Sequence, residues 1–191
     1  MGKGITECDP EVENQALDVC ALPCKIQVLI EDRYGISVVD IKTSGVIARW
    51  SFTQEKKWEN LMSTYAGITS FRFNDTTFIA WGASGNEPDQ SAIMIASWDG
   101  KKITGVTAIP LNILPPAERA LPNQVIANTE DNILYLYAVL NGNNELVKIR
   151  FADKAIMYTV PTGVAPYGVC IVRDKAYVTN SICGPSRATI I

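Results

Sequence analysis

Histidine is absent from the 191 residues of this sequence. Its absence excludes histidine-ligated zinc, copper and haem iron, and it excludes Ser-His-Asp and Cys-His catalysis and imidazole acid–base chemistry. A reaction carried out by these side chains alone must therefore use carboxylates, lysine, tyrosine, cysteine or a bound metal.

Long apolar runs and clusters of positive charge are also missing. No stretch approaches the roughly 18 apolar residues of a membrane-spanning helix, and residues 1–10 contain no apolar segment typical of a signal peptide. The net charge is −3, and no group of lysines and arginines stands out. We therefore expect neither a membrane partner nor a nucleic-acid partner, and the compartment is unknown from composition.

The cysteines are few and irregularly spaced. Cys20 and Cys24 are close together, but no second pair follows at the spacing of a zinc ribbon, so no structural metal is expected. Cys170 lies in an apolar segment and is predicted to be a small core residue. A disulfide among the other four cysteines is compatible with the sequence, but spacing assigns no pairing.

Strand-like segments recur along the chain with a step of 44 residues between Pro122 and Pro166. Residues 121–160 contain four apolar segments separated by short polar turns, and residues 65–111 contain four more. Four short antiparallel strands in about 40–45 residues are typical of a β-propeller blade. The sequence therefore predicts an all-β fold of four-stranded antiparallel blades, about three to four in number. A β-sandwich of unrelated hairpins is the alternative.

The repeats divide the chain into an irregular N-terminal segment, 1–25, and a partial propeller, 26–191. The units span about 26–52, 65–111, 121–160 and 165–191, and the first and last are incomplete. If these two share one blade, the chain builds three blades, fewer than the four to eight of a propeller ring. We therefore expect a partial or open propeller whose exposed edges favour self-association.

Three phrases carry a family likeness: Val-Pro-Thr-Gly at 160–163, Pro-Tyr-Gly at 166–168 and Tyr-Val-Thr-Asn at 177–180. They resemble the YVTN-type bacterial β-propeller repeat, and residues 36–45 resemble that family's outer hairpin. The order of the repeats is most similar to the propeller N-terminal to alkaline-phosphatase-type phosphoesterase domains. The sequence departs from the pattern at 74–76 and 130–132, which replace an Asp-Gly-Lys turn, and at 80–82, which replaces Tyr-Val-Thr-Asn.

The resemblance implies a bacterial binding module with a periplasmic or extracytoplasmic location. The metal ligands of the phosphoesterase include histidines, which this chain lacks, so any phosphatase activity would belong to another part of a larger protein. We accordingly predict no catalytic residue and no cofactor in this chain.

The positions of the long loops indicate which face of the predicted propeller would bind a ligand. Strands alternate in direction, so the loop between the second and third strands of a blade and the connection to the next blade share a face. The long connections 53–64, 84–91 and 112–120 all belong to this set, and long loops on a rigid scaffold are where binding residues concentrate. The candidate residues on this face are Lys56, Lys57, Trp58, Glu59, Asn86, Glu87, Asp89, Glu118, Arg119, Asn123 and Tyr167.

Five of these are the preferred ligand-binding candidates: Trp58, Glu118, Arg119, Asn123 and Tyr167. Each has a structural alternative; Trp58 has helical spacing with Leu61 and can attach a short helix to the sheet, and Glu118 and Arg119 can form a solvated pair. Glu87 and Asp89 are weak candidates for a cation site, and an ordinary acidic loop is the alternative.

The function predicted from these observations is a non-catalytic scaffold or recognition module, part of a larger bacterial protein. It would present its loops to an unknown small molecule or a neighbouring domain. One alternative is a propeller-type hydrolase, a lactonase or a phosphoesterase-associated enzyme, using carboxylates and a bound metal on the long-loop face. A second alternative is single-stranded nucleic-acid binding.

Overall fold

The computed structural model is built from four antiparallel β-sheets that follow one another along the chain. It describes residues 16–22, 27–64, 67–87, 90–111, 119–181 and 188–190. The strands are β1 Ala16–Ala21, β2 Gln27–Asp32, β3 Gly35–Asp40, β4 Val46–Ser51, β5 Met62–Ser63, β6 Thr69–Phe73, β7 Thr76–Ser84, β8 Ser91–Trp98, β9 Ile103–Pro110, β10 Pro122–Glu130, β11 Ile133–Leu140, β12 Glu145–Arg150, β13 Ala155–Pro161, β14 Pro166–Val172, β15 Lys175–Asn180 and β16 Ala188–Ile190. Two 3-10 helices, Phe52–Gln54 and Lys56–Trp58, follow β4.

Each sheet is a simple meander of neighbouring strands. The orders are β1-β2-β3-β4, β6-β7-β8-β9, β10-β11-β12-β13 and β14-β15-β16, and the short β5 extends the second sheet by pairing with the far end of β7. We call these sheets blades 1 to 4. The prediction of an all-β fold made of four-stranded antiparallel blades is confirmed.

Alternating side chains on the central strands pack against different neighbours. On β8, Met94 belongs to the apolar cluster shared with blade 1, whereas Ile93 and Ile95 belong to the cluster shared with blade 3. On β11, Leu136 faces blade 2 and Tyr137 faces blade 4. Because successive side chains of a strand point to opposite faces, each inner blade buries both faces only when it lies between two others. This explains why central strands read as nearly continuous apolar runs.

Aromatic side chains fill the interfaces on both sides of blade 2. Trp50 meets Trp81 edge-on with ring centroids 5.5 Å apart, between blades 1 and 2. Phe151 contacts the rings of Phe71 and Phe78 at 4.9 Å, between blades 2 and 3. Edge-to-face packing at these separations is favourable beyond the area that it buries.

The tight turns place asparagine and aspartate at positions of positive φ. Asn74 and Asp75 have φ of 46° and 61°, and Asp131 and Asn132 have φ of 48° and 63°. Positive φ at both central residues is the geometry of the hairpin turns whose twist matches that of the strands. Asparagine and aspartate tolerate this left-handed conformation better than other non-glycine residues.

The N-terminal boundary differs from the sequence expectation. An irregular segment to residue 25 was predicted, but β1 at Ala16–Ala21 pairs with β2 and completes blade 1. Asp18 interrupts the apolar alternation of this strand, and the pairing shifts register between Ala16 and Asp18, which explains why the pattern was weak. The proposed blade shared by the first and last units is also wrong for the described residues, where blade 1 has its own four strands and β14–β16 form a separate sheet.

Two further expectations need correction. Cys170 is exposed rather than in the core, because it lies on the side of β14 that faces away from blade 3. The inner strand of blade 2, predicted to begin at 65, is split into β5 and β6 around Gly67. A Cβ at Gly67 would overlap the carbonyl oxygen of Asn123, so this position needs glycine for the close approach of two blades.

Candidate functional site

The described parts of the long connections lie on one face and border two neighbouring clefts. Each cleft has a volume of about 400 Å³. Met62 and Asn86 line both of them. The connections come from different blades, so the radial packing of the sheets brings together residues that are far apart in sequence.

The first cleft, which we call the arginine cleft, draws side chains from three blades. Arg33 comes from the β2–β3 turn of blade 1, Asn86 from the β7–β8 loop of blade 2, and Arg119 from the segment that leads into blade 3. The lining residues are Arg33, Met62, Ser63, Thr64, Ser84, Asn86, Arg119 and Leu121. Two guanidinium groups and three hydroxyl groups make this a polar site rich in hydrogen-bond donors.

Arg33 is held at the cleft by its neighbours in β5. Its backbone carbonyl accepts a hydrogen bond of 3.0 Å from the Ser63 amide. Its Nε donates to the Sδ of Met62 at 3.0 Å. A thioether is a weak acceptor, so most of the hydrogen-bonding capacity of this guanidinium is uncommitted within the described part of the chain.

Arg119 is held by its backbone more firmly than by its side chain. The next residue, Ala120, is buried, and its carbonyl accepts a hydrogen bond of 2.9 Å from the Gly142 amide. A Cβ at Gly142 would overlap the Arg119 carbonyl, so glycine permits this approach. The Arg119 side chain makes a long contact, with Nη1 donating to the Gly85 carbonyl at 3.4 Å.

Neither arginine has a carboxylate partner within the described ranges. The ion pairs there involve other cations, such as Arg49 with Asp32 at 2.9 Å and Arg150 with Asp153 at 2.6 Å. A guanidinium presents a planar fork of donors that matches a carboxylate or a phosphate. The arginine cleft is therefore suited to a bound anion.

The second cleft carries the acidic candidates. Its lining residues are Tyr34, Phe52, Thr53, Glu59, Asn60, Leu61, Met62, Asn86, Glu87 and Gln90. Glu87 is tied into its own loop, where its amide donates to Gln90 Oε1 at 3.3 Å and its carbonyl accepts from the Gln90 amide at 3.0 Å. Asp89 lies outside the described residues. Among the described residues, no three Asp, Glu or Cys side chains are placed to hold a metal ion.

The five preferred candidates do not converge. Arg119 lines the arginine cleft, whereas Trp58 packs against the core of blades 1 and 2 beneath the Lys57 ammonium, 4.8 Å from its ring. Asn123 is 2% exposed, and its Oδ1 has no hydrogen-bond partner in the described part of the chain. Tyr167 is 49% exposed on β14, and Glu118 lies outside the described residues. The ligand-binding role of all five stays a prediction.

Sequence reasoning missed Arg33. The residue occupies a two-residue turn between two strands, and only the long connections were considered. The alternation of strand direction was the signal that could have found it, since it assigns the β2–β3 turn to the same face as the long loops.

A second polar cluster lies on the opposite face, at the short turns, and it too was missed. Glu130 accepts hydrogen bonds from the Tyr137 hydroxyl, from Asn128 Nδ2 at 3.1 Å and from the Lys148 ammonium at 2.5 Å. Partial burial would raise the pKa of Glu130, but these donors outweigh it and lower that pKa below its ordinary value. Burial and the hydrogen bond to Glu130 both raise the pKa of Tyr137. Burial alone would lower the pKa of Lys148, but the hydrogen bond from Lys148 to Glu130 outweighs burial and raises that pKa.

Within the described residues, no helix is long or apolar enough to cross a membrane.

Comparison with known proteins identifies the fold. No family model matches the chain, and no curated protein matches it. Among solved structures, it is similar to hydrazine synthase of Kuenenia stuttgartiensis, with a TM-score of 0.59 and 14% identity over 91% of this chain and 57% of that one. It is also similar to a protein of unknown function from Bacteroides caccae, with a TM-score of 0.58 and 12% identity over 88% of this chain and 54% of that one.

A third similar structure is the Cps50 (Swd1) β-propeller domain of Myceliophteria thermophila, with a TM-score of 0.51 and 9% identity over 86% of this chain and 49% of that one. The chain thus spans about half the length of each of these three solved chains. At these identities the likeness shows the fold alone, which is that of a β-propeller.

Proposed function

We propose that this chain is a non-catalytic recognition module whose long-loop face binds an anionic group in the arginine cleft. The observation that carries the proposal is the convergence of Arg33 and Arg119, from different blades, without a carboxylate partner in the described ranges. A carboxylate is the simplest ligand group for this pair, since each oxygen accepts from a guanidinium.

The surroundings of the two arginines favour binding over chemistry. The hydroxyl group of Ser63 supplies a further donor, whereas that of Ser84 is already bonded to the Gly85 carbonyl and to Ser91. Histidine is absent from the chain, so neither serine has an imidazole base. The Thr64 hydroxyl is already committed, since it donates to the Pro122 carbonyl. The cleft therefore offers donors to a ligand and, among the described residues, no nucleophile–base pair.

The finer family resemblance is consistent with this proposal. We infer that the chain is a YVTN-type propeller segment of a larger bacterial protein, located outside the cytoplasm, where a neighbouring domain would act on what the propeller holds. A phosphoesterase domain is one such neighbour, and the resemblance of the repeats at 160–180 supports it.

The test is calorimetric titration of the protein with succinate and, separately, with inorganic phosphate. Hydrogen bonds to charged groups contribute about 1.5–3 kcal/mol each, so Arg119→Gln and Arg33→Gln should each weaken binding by about tenfold or more. Arg72→Gln is the matched control, because Arg72 is exposed on the short-turn face and its contact with Asp75 is 4.0 Å long. It should leave binding unchanged.

Equal binding by all four proteins, or no binding of either anion, would refute the anion site. Turnover of model lactones or phosphoesters by the purified chain would instead favour the hydrolase alternative.

A further inference from the structure

A cleft of about 630 Å³ opens on the short-turn face between blades 3 and 4, on the opposite side of the molecule from the arginine cleft. Its volume falls within the roughly 300–1,000 Å³ of small-molecule sites. The residues that line it are Asn128, Thr129, Glu130, Asp131, Tyr137, Leu146, Lys148, Tyr158, Ile171, Arg173, Asp174, Lys175 and Ala176. We call it the tyrosine cleft.

The floor of the tyrosine cleft is a fixed polar network. Glu130 Oε1 accepts from Tyr137 and Asn128, and Oε2 accepts from Lys148. Lys148 is further enclosed by tyrosine rings, with its ammonium 4.1 Å from the Tyr135 centroid and 5.6 Å from the Tyr158 centroid. Side chains held from several directions form a rigid surface, which lowers the entropic cost of binding a ligand to it.

The wall at the outer strand offers an aromatic surface. Tyr158 lies on β13 opposite Lys148 and is 45% exposed. The register of β12 and β13 shifts between Lys148 and Ile149, which is a β-bulge beside Tyr158. An exposed tyrosine ring at the edge of a cleft combines a flat apolar face with a polar hydroxyl.

The lining charges of the cleft balance. Glu130, Asp131 and Asp174 are acidic, and Lys148, Arg173 and Lys175 are basic. Glu130 and Lys148 neutralise each other, and the four rim charges form no ion pair within the described ranges. The rim therefore presents donors and acceptors in equal measure and no net charge, which disfavours an ionic ligand and favours a neutral one with many hydroxyl groups.

We propose that the tyrosine cleft binds a neutral carbohydrate. A sugar ring has an apolar C–H face that packs on the Tyr158 ring, and hydroxyl groups that both donate and accept. Asp131 and Asp174 accept from those hydroxyls, while Arg173 and Lys175 donate to them. The site is independent of the arginine cleft, with which it shares no residue.

The experiment is saturation-transfer NMR on the whole chain with four neutral disaccharides, namely maltose, cellobiose, lactose and N,N′-diacetylchitobiose, each at millimolar concentration. At least one should receive saturation at its ring C–H protons. Tyr158→Phe should retain this signal, because the ring remains, and Tyr158→Ala should bind about fivefold more weakly or lose binding. Met157→Ala is the matched control, since Met157 is exposed to a similar degree on the same strand and lies outside the cleft.

Amide spectra of the variants establish that each is folded, so loss of binding is read only from folded protein. The proposal is overturned if none of the four sugars receives saturation, or if Tyr158→Ala binds as well as the wild type. It is equally overturned if the sugar perturbs amides around Arg33 and Arg119 rather than those of residues 128–131 and 173–176.

Discussion

In the short turns, the backbone conformation of single residues sets the twist of each hairpin. Asp75 has a positive φ of 61°, and its side chain is fully exposed. Its distant contact with Arg72 contributes little, because surface ion pairs are screened by water and salt. The backbone conformation therefore decides which residues this position accepts.

We expect Asp75→Val to destabilise the protein by about 1–2 kcal/mol, because a β-branched residue is strained in the left-handed region. Asp75→Gly is the matched control and should be neutral or slightly stabilising, since glycine adopts this φ without strain. Urea unfolding measures both. Equal stability of the two variants would show that the turn does not impose this φ.

Because Glu130 and Lys148 form an ion pair, we expect the stability of the protein to depend on pH. The pKa of Glu130 is lower in the folded protein than its ordinary value of 4.5. Its stabilising contribution is therefore fully present above that ordinary value and is lost as pH falls through the folded-state pKa. Wild type should exceed Glu130→Gln in free energy of unfolding near neutral pH.

This difference should shrink as the pH falls below about 4.5. Denaturant unfolding of both proteins across this range checks the prediction. A difference that stays constant from neutral to acidic pH would mean that the carboxylate charge is not what stabilises the pair.

The central strand of each inner blade is the element on which the fold depends. Leu136 on β11 is fully buried between blades 2 and 3, whereas Ile133 on the same strand is 41% exposed. Leu136→Ala should cost about 2–5 kcal/mol of unfolding free energy, since it leaves a cavity that the two sheets cannot close. Ile133→Ala should cost about 1 kcal/mol or less. If both variants lose a similar free energy of unfolding in thermal or chemical denaturation, Leu136 is not packed between two blades.

The elements with strong patterns could be predicted from the sequence alone. β8, β11 and β12 have apolar runs bounded by turn residues, and each lies inside one of the units predicted at 65–111 and 121–160. β1 could not be predicted, because Asp18 breaks its pattern and its pairing is irregular. Strand propensity is weak where partners in the sheet decide the outcome.

The candidate site was less predictable than the fold. The face could be derived from strand alternation, and Arg119, which lines the arginine cleft, was a candidate for this reason. Convergence of side chains depends on the angle between blades, which no local pattern encodes, so Arg33 and the Glu130–Tyr137–Lys148 cluster were missed. Tyr137 and Lys148 are direct partners across β11 and β12, a relation that appears only once the register is known.

At the scale of the whole molecule, the blades differ in how much they bury. The apolar clusters on either side of blade 2 are extensive, whereas the described cluster between blades 3 and 4 is smaller. Blade 4 also exposes Val172 and Ile190. In stacked repeats, stability comes from each unit and its neighbour interfaces.

We therefore expect blade 4 to open before the rest of the protein. Hydrogen exchange followed by mass spectrometry should show faster exchange for β14 and β15 than for β8 and β11. Uniform protection across all four blades would contradict this nearest-neighbour account of stability.

We propose that Arg33 and Arg119 act together as one anion site on a rigid propeller face. NMR titration with succinate, observed at the arginine Nε–H signals, tests it most directly. If the two arginines form one site, the signals of Arg33 and Arg119 will shift along one common saturation curve while those of Arg72 and Arg173 do not move. Shifts that saturate at different concentrations, or that appear equally at Arg72 and Arg173, would contradict it.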